Sequence, residues 1–480
     1  MPSPRRAARR DGGSRIGRRH ALLGVVPLLL AACGGSSDAG GAAASARVGN
    51  ACTKDRAFGF GDGMITVCSG GRYRYALPED LPPALAGGYA KRPEWYPTLA
   101  QIFGPKVDEC TGGPVRFSQP VIEPAKVTRS VPAGMMIYDH VTPIDHLYIG
   151  ITALDRPASE RAADAATIRV PAAGTVIEVS SLGSPTSNRV TVVHGCGIVS
   201  VFMVVNRLTG VLAPYVDEVR SKGAAAVSLA VRAGDEIGTQ TDNPLDFNIF
   251  DGATWLPRFA NPFSYAAGEA WKPYTADPFP LFTNGAGDAL KAGVQRVVEP
   301  RWGVIDRDVP GTAAGSWFID GTIGYNGIPV ELVRAATGQL PGNAVPGKST
   351  YAWGHLTLAP HPVDEQAWIF STGWWSDPKG DPKQVMIDRS GGLPAPDQLK
   401  SANGAVVYPL VEFSVKQPAG FSRPAQPMSP DGIGYTLSAG FAVGFAVVQV
   451  NDNGTLAVEV STDPARRPAG FTAAKRSYHR

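Results

Sequence analysis

This 480-residue chain is poor in charge, in histidine and in paired cysteine motifs. Charged residues make up 18%, and 45 Lys+Arg nearly balance 42 Asp+Glu. Such a balance offers no sustained basic surface, which argues against nucleic acid as a partner. Seven histidines restrict how many imidazole-dependent sites the chain can build. No Cys-x-x-Cys pair occurs, which removes a cysteine-based zinc knuckle. No apolar run is long enough for a membrane-spanning helix. After residue 33 there is no Gly-x-Ser-x-Gly elbow, His-Glu-x-x-His helix, calcium loop or dinucleotide fingerprint.

What is present points to β structure. Gly (56) and Pro (42) are abundant, and Val, Thr and aromatic residues recur in short runs between them. The fold class expected is mainly β. Strands are predicted over Thr167–Val179, Arg189–Val193, Ile198–Val205, Ala226–Val231 and Leu245–Phe250. Later come Ser316–Thr322, Tyr351–Ala359 and Ala367–Trp375. A hairpin is predicted from Ala446–Val450 and Leu456–Val460, joined by a turn containing Asn453-Gly454. The apolar stretch Ala439–Val450 reads as a buried strand. The Gly/Ala-rich residues Asn284–Gly293 read as a connector.

The N-terminus reads as an export signal. Seven arginines lie in the first 20 residues, followed by the apolar run Ala21–Ala32. Leu30-Ala31-Ala32-Cys33 resembles a bacterial lipobox, which implies cleavage before Cys33 and lipid attachment to it. Arg18-Arg19 also resembles a twin-arginine signal, so the export route stays open. Loss of seven arginines and Asp11 leaves 38 basic and 41 acidic residues, so the apparent basicity belongs to the signal. The residues after Cys33 form a Gly/Ala/Ser tether with a reach on the order of 20 Å. Outside the cytoplasm, Cys52, Cys68, Cys110 and Cys196 are expected to form two disulfides, with three possible connectivities. Cys52–Cys68 is favoured because both lie in one short Gly-rich segment.

Several pieces of the central region occur in a recognisable order. They are Ile168–Val179 (IRVPAAGTVIEV), Val190–Gly197 (VTVVHGCG), Val231–Gly238 (VRAGDEIG), Leu245–Asp251 (LDFNIFD) and Ala276-Asp277-Pro278. Together they resemble the lysostaphin/LytM-type zinc peptidases, which cut cell-wall peptide cross-bridges. The resemblance implies a small β-sandwich or half-barrel with a groove across one sheet, followed here by a second β-rich region. Active members hold zinc with a His, an Asp four residues later and the second His of an His-x-His strand; two further imidazoles assist catalysis. In this chain His146 fits the first ligand, Gly150 stands at the Asp position, and Val204 lies near one assisting imidazole. Pro244 and Asp246 replace the His-x-His pair. No catalytic residue is therefore expected, and only His146 and Asp246 remain as metal-ligand remnants. No cofactor is expected, with zinc as the one to test.

Other marked residues have competing readings. His140, Asp145, His146 and Asp246 form either a rebuilt metal site or a hydrogen-bonded loop. His194 is read as a hydrogen-bonded strand end. Gly342–Ser349 matches the P-loop pattern, but Pro346 interrupts its amides and a β pattern follows, so no nucleotide is expected. Trp317, Trp353, Trp368, Trp374 and Trp375 read as core residues, with one of the last two facing outward.

The organisation expected is a signal (1–32), tether (33–46), cysteine-bearing region (47–130), degenerate LytM-like region (131–283) and β-rich region (296–480). The function expected is a non-catalytic cell-envelope lipoprotein on the extracytoplasmic face of a bacterial membrane. It would bind cell-wall material or an envelope protein. The alternatives are a divergent zinc peptidase and a lipid- or glycan-binding C-terminal region.

Overall fold

The computed structural model describes residues 46–480 except 83–87, 111, 185, 341–350, 377–380 and 417–434. Cys33, the signal and the P-loop-like Gly342–Ser349 lie outside the described residues. The chain is mainly β, arranged in several antiparallel sheets.

A small sheet comes first: β1 (Phe58–Gly61), β2 (Met64–Ser69) and β3 (Arg72–Tyr75). The Cys52–Cys68 disulfide ties its entry to β2, and Cys110–Cys196 forms the second bridge. The middle of the chain supplies β4 (Leu147–Ile149), β5 (Ala166–Arg169), β6 (Gly174–Ser184), β7 (Ser187–Gly195) and β8 (Ile198–Val205). It continues with β9 (Arg207–Leu208), β10 (Ala224–Val231), β11 (Glu236–Gln240) and β12 (Leu245–Asp251). Six of these form one sheet in the order β10-β6-β7-β8-β12-β4, and β5-β11-β9 form a second.

Alternation along the strands explains the packing. Val190 and Val192, Phe202, and Leu245, Phe247 and Ile249 turn to one face, where they meet Ile168, Leu208 and Ile237 of the smaller sheet. Val193, Val199, Val201 and Phe250 turn to the other face, where Trp95, Tyr96, Leu99, Phe263 and Tyr274 cover them. The six-stranded sheet is thus buried on both sides by its own chain. Residues 117–131, which the sequence groups with the N-terminal region, bridge onto this sandwich at Phe117↔Phe282, Ile122↔Ile168 and Val131↔Tyr148.

The last third closes into an eight-stranded barrel. Its strands are β13 (Gly315–Ile319), β14 (His355–His361), β15 (Asp364–Thr372) and β16 (Lys383–Ile387). They continue as β17 (Val406–Lys416), β18 (Thr436–Val450), β19 (Leu456–Ser461) and β20 (Arg476–His479). Trp317, Leu358, Trp368, Phe370, Tyr408 and Tyr478 belong to its core. The predicted hairpin is present, with Asn451 N–H donating to the Thr455 carbonyl and Gly454 at φ 80°.

Four expectations need correction. The single strand Thr167–Val179 is two strands, β5 and β6, because Pro171 ends the ladder between them. Tyr351–Gly354 is a 3-10 turn, and the strand begins only at His355. Asn284–Gly293 is not a free connector, since Asp288–Gly293 is helical and its Leu290 is buried in the sandwich core. Ala439–Val450 is buried only in its second half; Ala439–Ala442 is exposed. Among the tryptophans, Trp317, Trp353, Trp368 and Trp375 are buried, and half-buried Trp374 lies under Arg476 at 3.7 Å.

Candidate functional site

β4 and β12 pair antiparallel with Tyr148 opposite Asp246. Asp246 and Asn248 share one face of β12 because strand side chains alternate. That face is otherwise apolar, so these two and His146 form a polar island within a hydrophobic layer. His146 is 4% exposed, Asp246 5% and Asn248 2%.

His146 stands between two carboxylates. Its Nδ1–H donates to Asp145 Oδ1 at 3.0 Å, and its Nε2 lies 3.7 Å from Asp246 Oδ2. Asp145 also accepts from Asn248 Nδ2 at 2.9 Å and from Trp271 Nε1 at 3.0 Å. Burial would raise the Asp145 carboxyl, but His146, Lys272 and the Trp271 N–H together hold it well below the usual range. Burial would lower the His146 imidazole; the charges of Asp246 and Asp145 outweigh it and raise the imidazole instead. Burial pushes Asp246 up to about 7, against the pull of His146. His146 Nε2, Asp246 Oδ1 and Asn248 Oδ1 make no hydrogen bond.

The network continues toward the barrel. Lys272, 2% exposed, donates to Glu269 Oε2 at 2.6 Å and lies over the Tyr325 ring at 5.2 Å. Tyr325 Oη donates to Glu269 Oε1 at 2.6 Å, and His355 Nε2 donates to the Tyr325 carbonyl at 2.6 Å. The polar chain therefore runs from β12 to the first residue of β14.

The residues expected to form a metal site fit zinc poorly. A catalytic zinc takes three protein ligands and keeps one open position. His146 and Asp246 supply two. At Gly150 a β-carbon would lie 2.0 Å from the Arg129 carbonyl, so the Asp of active members has no room there. Pro244 has no donor side chain, and Val204 takes φ 60°, a left-handed conformation that a β-branched residue rarely adopts. His140 stacks edge-on against His146, with ring centroids 5.6 Å apart; burial, with the charges of His146 and Lys272, lowers it to about 3. Among the described residues, no three His, Cys, Asp or Glu side chains are grouped to hold a metal ion. His194 binds Ala173 O and Ser200 Oγ through its two ring nitrogens, at 2.9 and 2.8 Å.

Access is closed as well. Trp271 stacks against Phe103 and Phe250, and Arg189 lies over it at 5.2 Å. Tyr96 Oη donates to the Ala270 carbonyl, Trp255 Nε1 to the Tyr89 carbonyl and Tyr274 Oη to the Pro97 carbonyl. These bonds bind the 89–107 segment to the 255–274 segment over the face that holds Asp246. Two ligands without an acid/base imidazole cannot activate water as the resembled peptidases do. The sequence reading found His146 and Asp246 but missed Asn248, Trp271 and Lys272. For Asn248 the signal was available, since it lies two residues from Asp246 on one strand.

No protein-family profile matches this chain, and no curated protein matches it. Among solved structures, the SpoIIQ–SpoIIIAH pore forming complex contains a chain similar to this one. The match covers 37% of this chain and 98% of that one, at 11% identity and a TM-score of 0.22.

Proposed function

We propose that this chain is a non-catalytic lipoprotein of the bacterial cell envelope, anchored through Cys33. Its LytM-like sheet is a degenerate peptidase that has become a binding or scaffold module for cell-wall material or an envelope protein. The observation that carries this reading is the His146–Asp246 pair, which has only two metal-binding groups and lies beneath the chain's own Trp271. The crowding of Gly150 against Arg129 supports it, because the missing ligand cannot be restored by one substitution. Any ligand would therefore bind outside the former cleft. The lipid- or glycan-binding alternative would likewise have to use the outside of the barrel, whose core side chains are apolar and packed.

The test is to incubate the protein without its first 33 residues with purified cell walls. Co-sedimentation without release of peptides supports the reading. Release of peptides that stops in His146→Ala overturns it.

A further inference from the structure

β18 has two unlike halves. From Phe445 to Val450 it pairs on both sides, with β17 and with β19. From Thr436 to Gly444 it pairs, among the described residues, with β17 alone. Its other edge presents backbone N–H and C=O groups. The Asp364 carboxylate accepts one of these, the Leu437 N–H, at 2.9 Å. Beyond it Ala439, Gly440, Phe441 and Ala442 are all exposed, and Phe441 is 88% exposed.

Natural sheets protect such edges with Lys, Pro, inward charges or a covering element. Thr436–Val450 contains no charged residue and no proline. Four consecutive exposed apolar residues in a strand are unfavourable unless they serve an interaction. The edge of β10 differs: Lys222 and Arg232 flank it, and a bulge interrupts it between Ala226 and Leu229.

We propose that the Thr436–Gly444 edge is a homodimer seat, pairing antiparallel with the same segment of a second copy. An unpaired strand edge is satisfied by another extended backbone, because only that matches its alternating donors and acceptors. Antiparallel pairing about a two-fold axis presents the same patch on both subunits. An uncharged strand meets itself with no like-charge repulsion, whereas a charged edge would not. The nearest charges on the ribbon are neutralised locally, Lys383 pairing with Glu412 at 3.0 Å. Phe441 then becomes buried at the centre of the joined sheets.

Sedimentation velocity of the protein without its first 33 residues tests this at about 10 µM. The expected result is a dimer whose association weakens by roughly tenfold or more in Phe441→Lys and in Ala439→Pro. Phe441→Lys alters an exposed side chain and keeps the test valid where Ala439→Pro disturbs folding. Single cysteines placed from Ser438 to Ala442 are expected to cross-link most strongly at one position, the residue facing itself across the axis. A monomeric wild type overturns the proposal, as does a dimer that ignores Phe441→Lys. A monomer that binds phosphatidylglycerol vesicles through Phe441 also overturns it and makes lipid the occupant.

Discussion

His146 Nε2 lies 3.7 Å from Asp246 Oδ2, while its Nδ1–H is held by Asp145. One imidazole thus separates two buried carboxylates of opposite character. Asp145 is held ionised by three donors, and Asp246 is pushed toward its neutral form by burial.

This asymmetry predicts unequal substitutions. His146→Ala leaves Asp145 without a donor in a buried site and should cost about 3–5 kcal/mol. Asp246→Asn keeps the shape and removes a carboxyl that burial disfavours, so it should cost less than about 1 kcal/mol. Urea unfolding of both variants at neutral pH measures the difference. Equal losses would contradict the account of the pair.

Trp271→Phe should destabilise by roughly 1.5–3 kcal/mol, because it removes an N–H donated to an ionised, buried Asp145. The Asp145→Asn, Trp271→Phe double variant should lose less than the sum of the single losses. A double-mutant cycle reads this coupling directly.

Legibility in the sequence followed locality. Alternation placed most strands of the sandwich, and the order of the LytM-like pieces brought out His146 and Asp246. Trp271 escaped because its bond to Asp145 joins residues 126 apart, with no periodic pattern between them. Closure of the barrel by β13 and β20 escaped for the same reason. Ala439–Ala442 was misread because apolar composition signals burial, and sequence does not reveal which strand edge goes unpaired. Gly150 could be seen to lack a ligand; only packing reveals that Arg129 has taken the space.

The two disulfides should contribute unequally. Cys110–Cys196 closes a separation of 86 residues and Cys52–Cys68 one of 16. Loop-closure entropy gives about 4.5 kcal/mol for the first and about 3 for the second. Paired Cys→Ser replacements, compared by thermal and urea unfolding, should rank in that order.

Stability should fall with acid earlier than carboxylate titration alone requires. Burial lowers His355 to about 3 and His361 to about 4, from the ordinary 6.5. Above pH 6.5 both histidines are neutral folded or unfolded, and stability is intact. Below it the unfolded chain takes up protons that the native state refuses, so stability is lost as pH falls toward 3–4. The slope is about 1.4 kcal/mol per pH unit for each histidine. Asp246, raised to about 7, acts in the opposite sense, its contribution being lost as pH rises through 7. His361→Gln isolates one term: it should flatten the loss between pH 6.5 and 5, read by urea unfolding at each pH.

Metal content is the most direct measurement. The protein without its first 33 residues, purified with zinc present and then dialysed, should retain well below one equivalent, because two ligands hold zinc weakly. Stoichiometric zinc that disappears in both His146→Ala and Asp246→Ala would contradict the non-catalytic account.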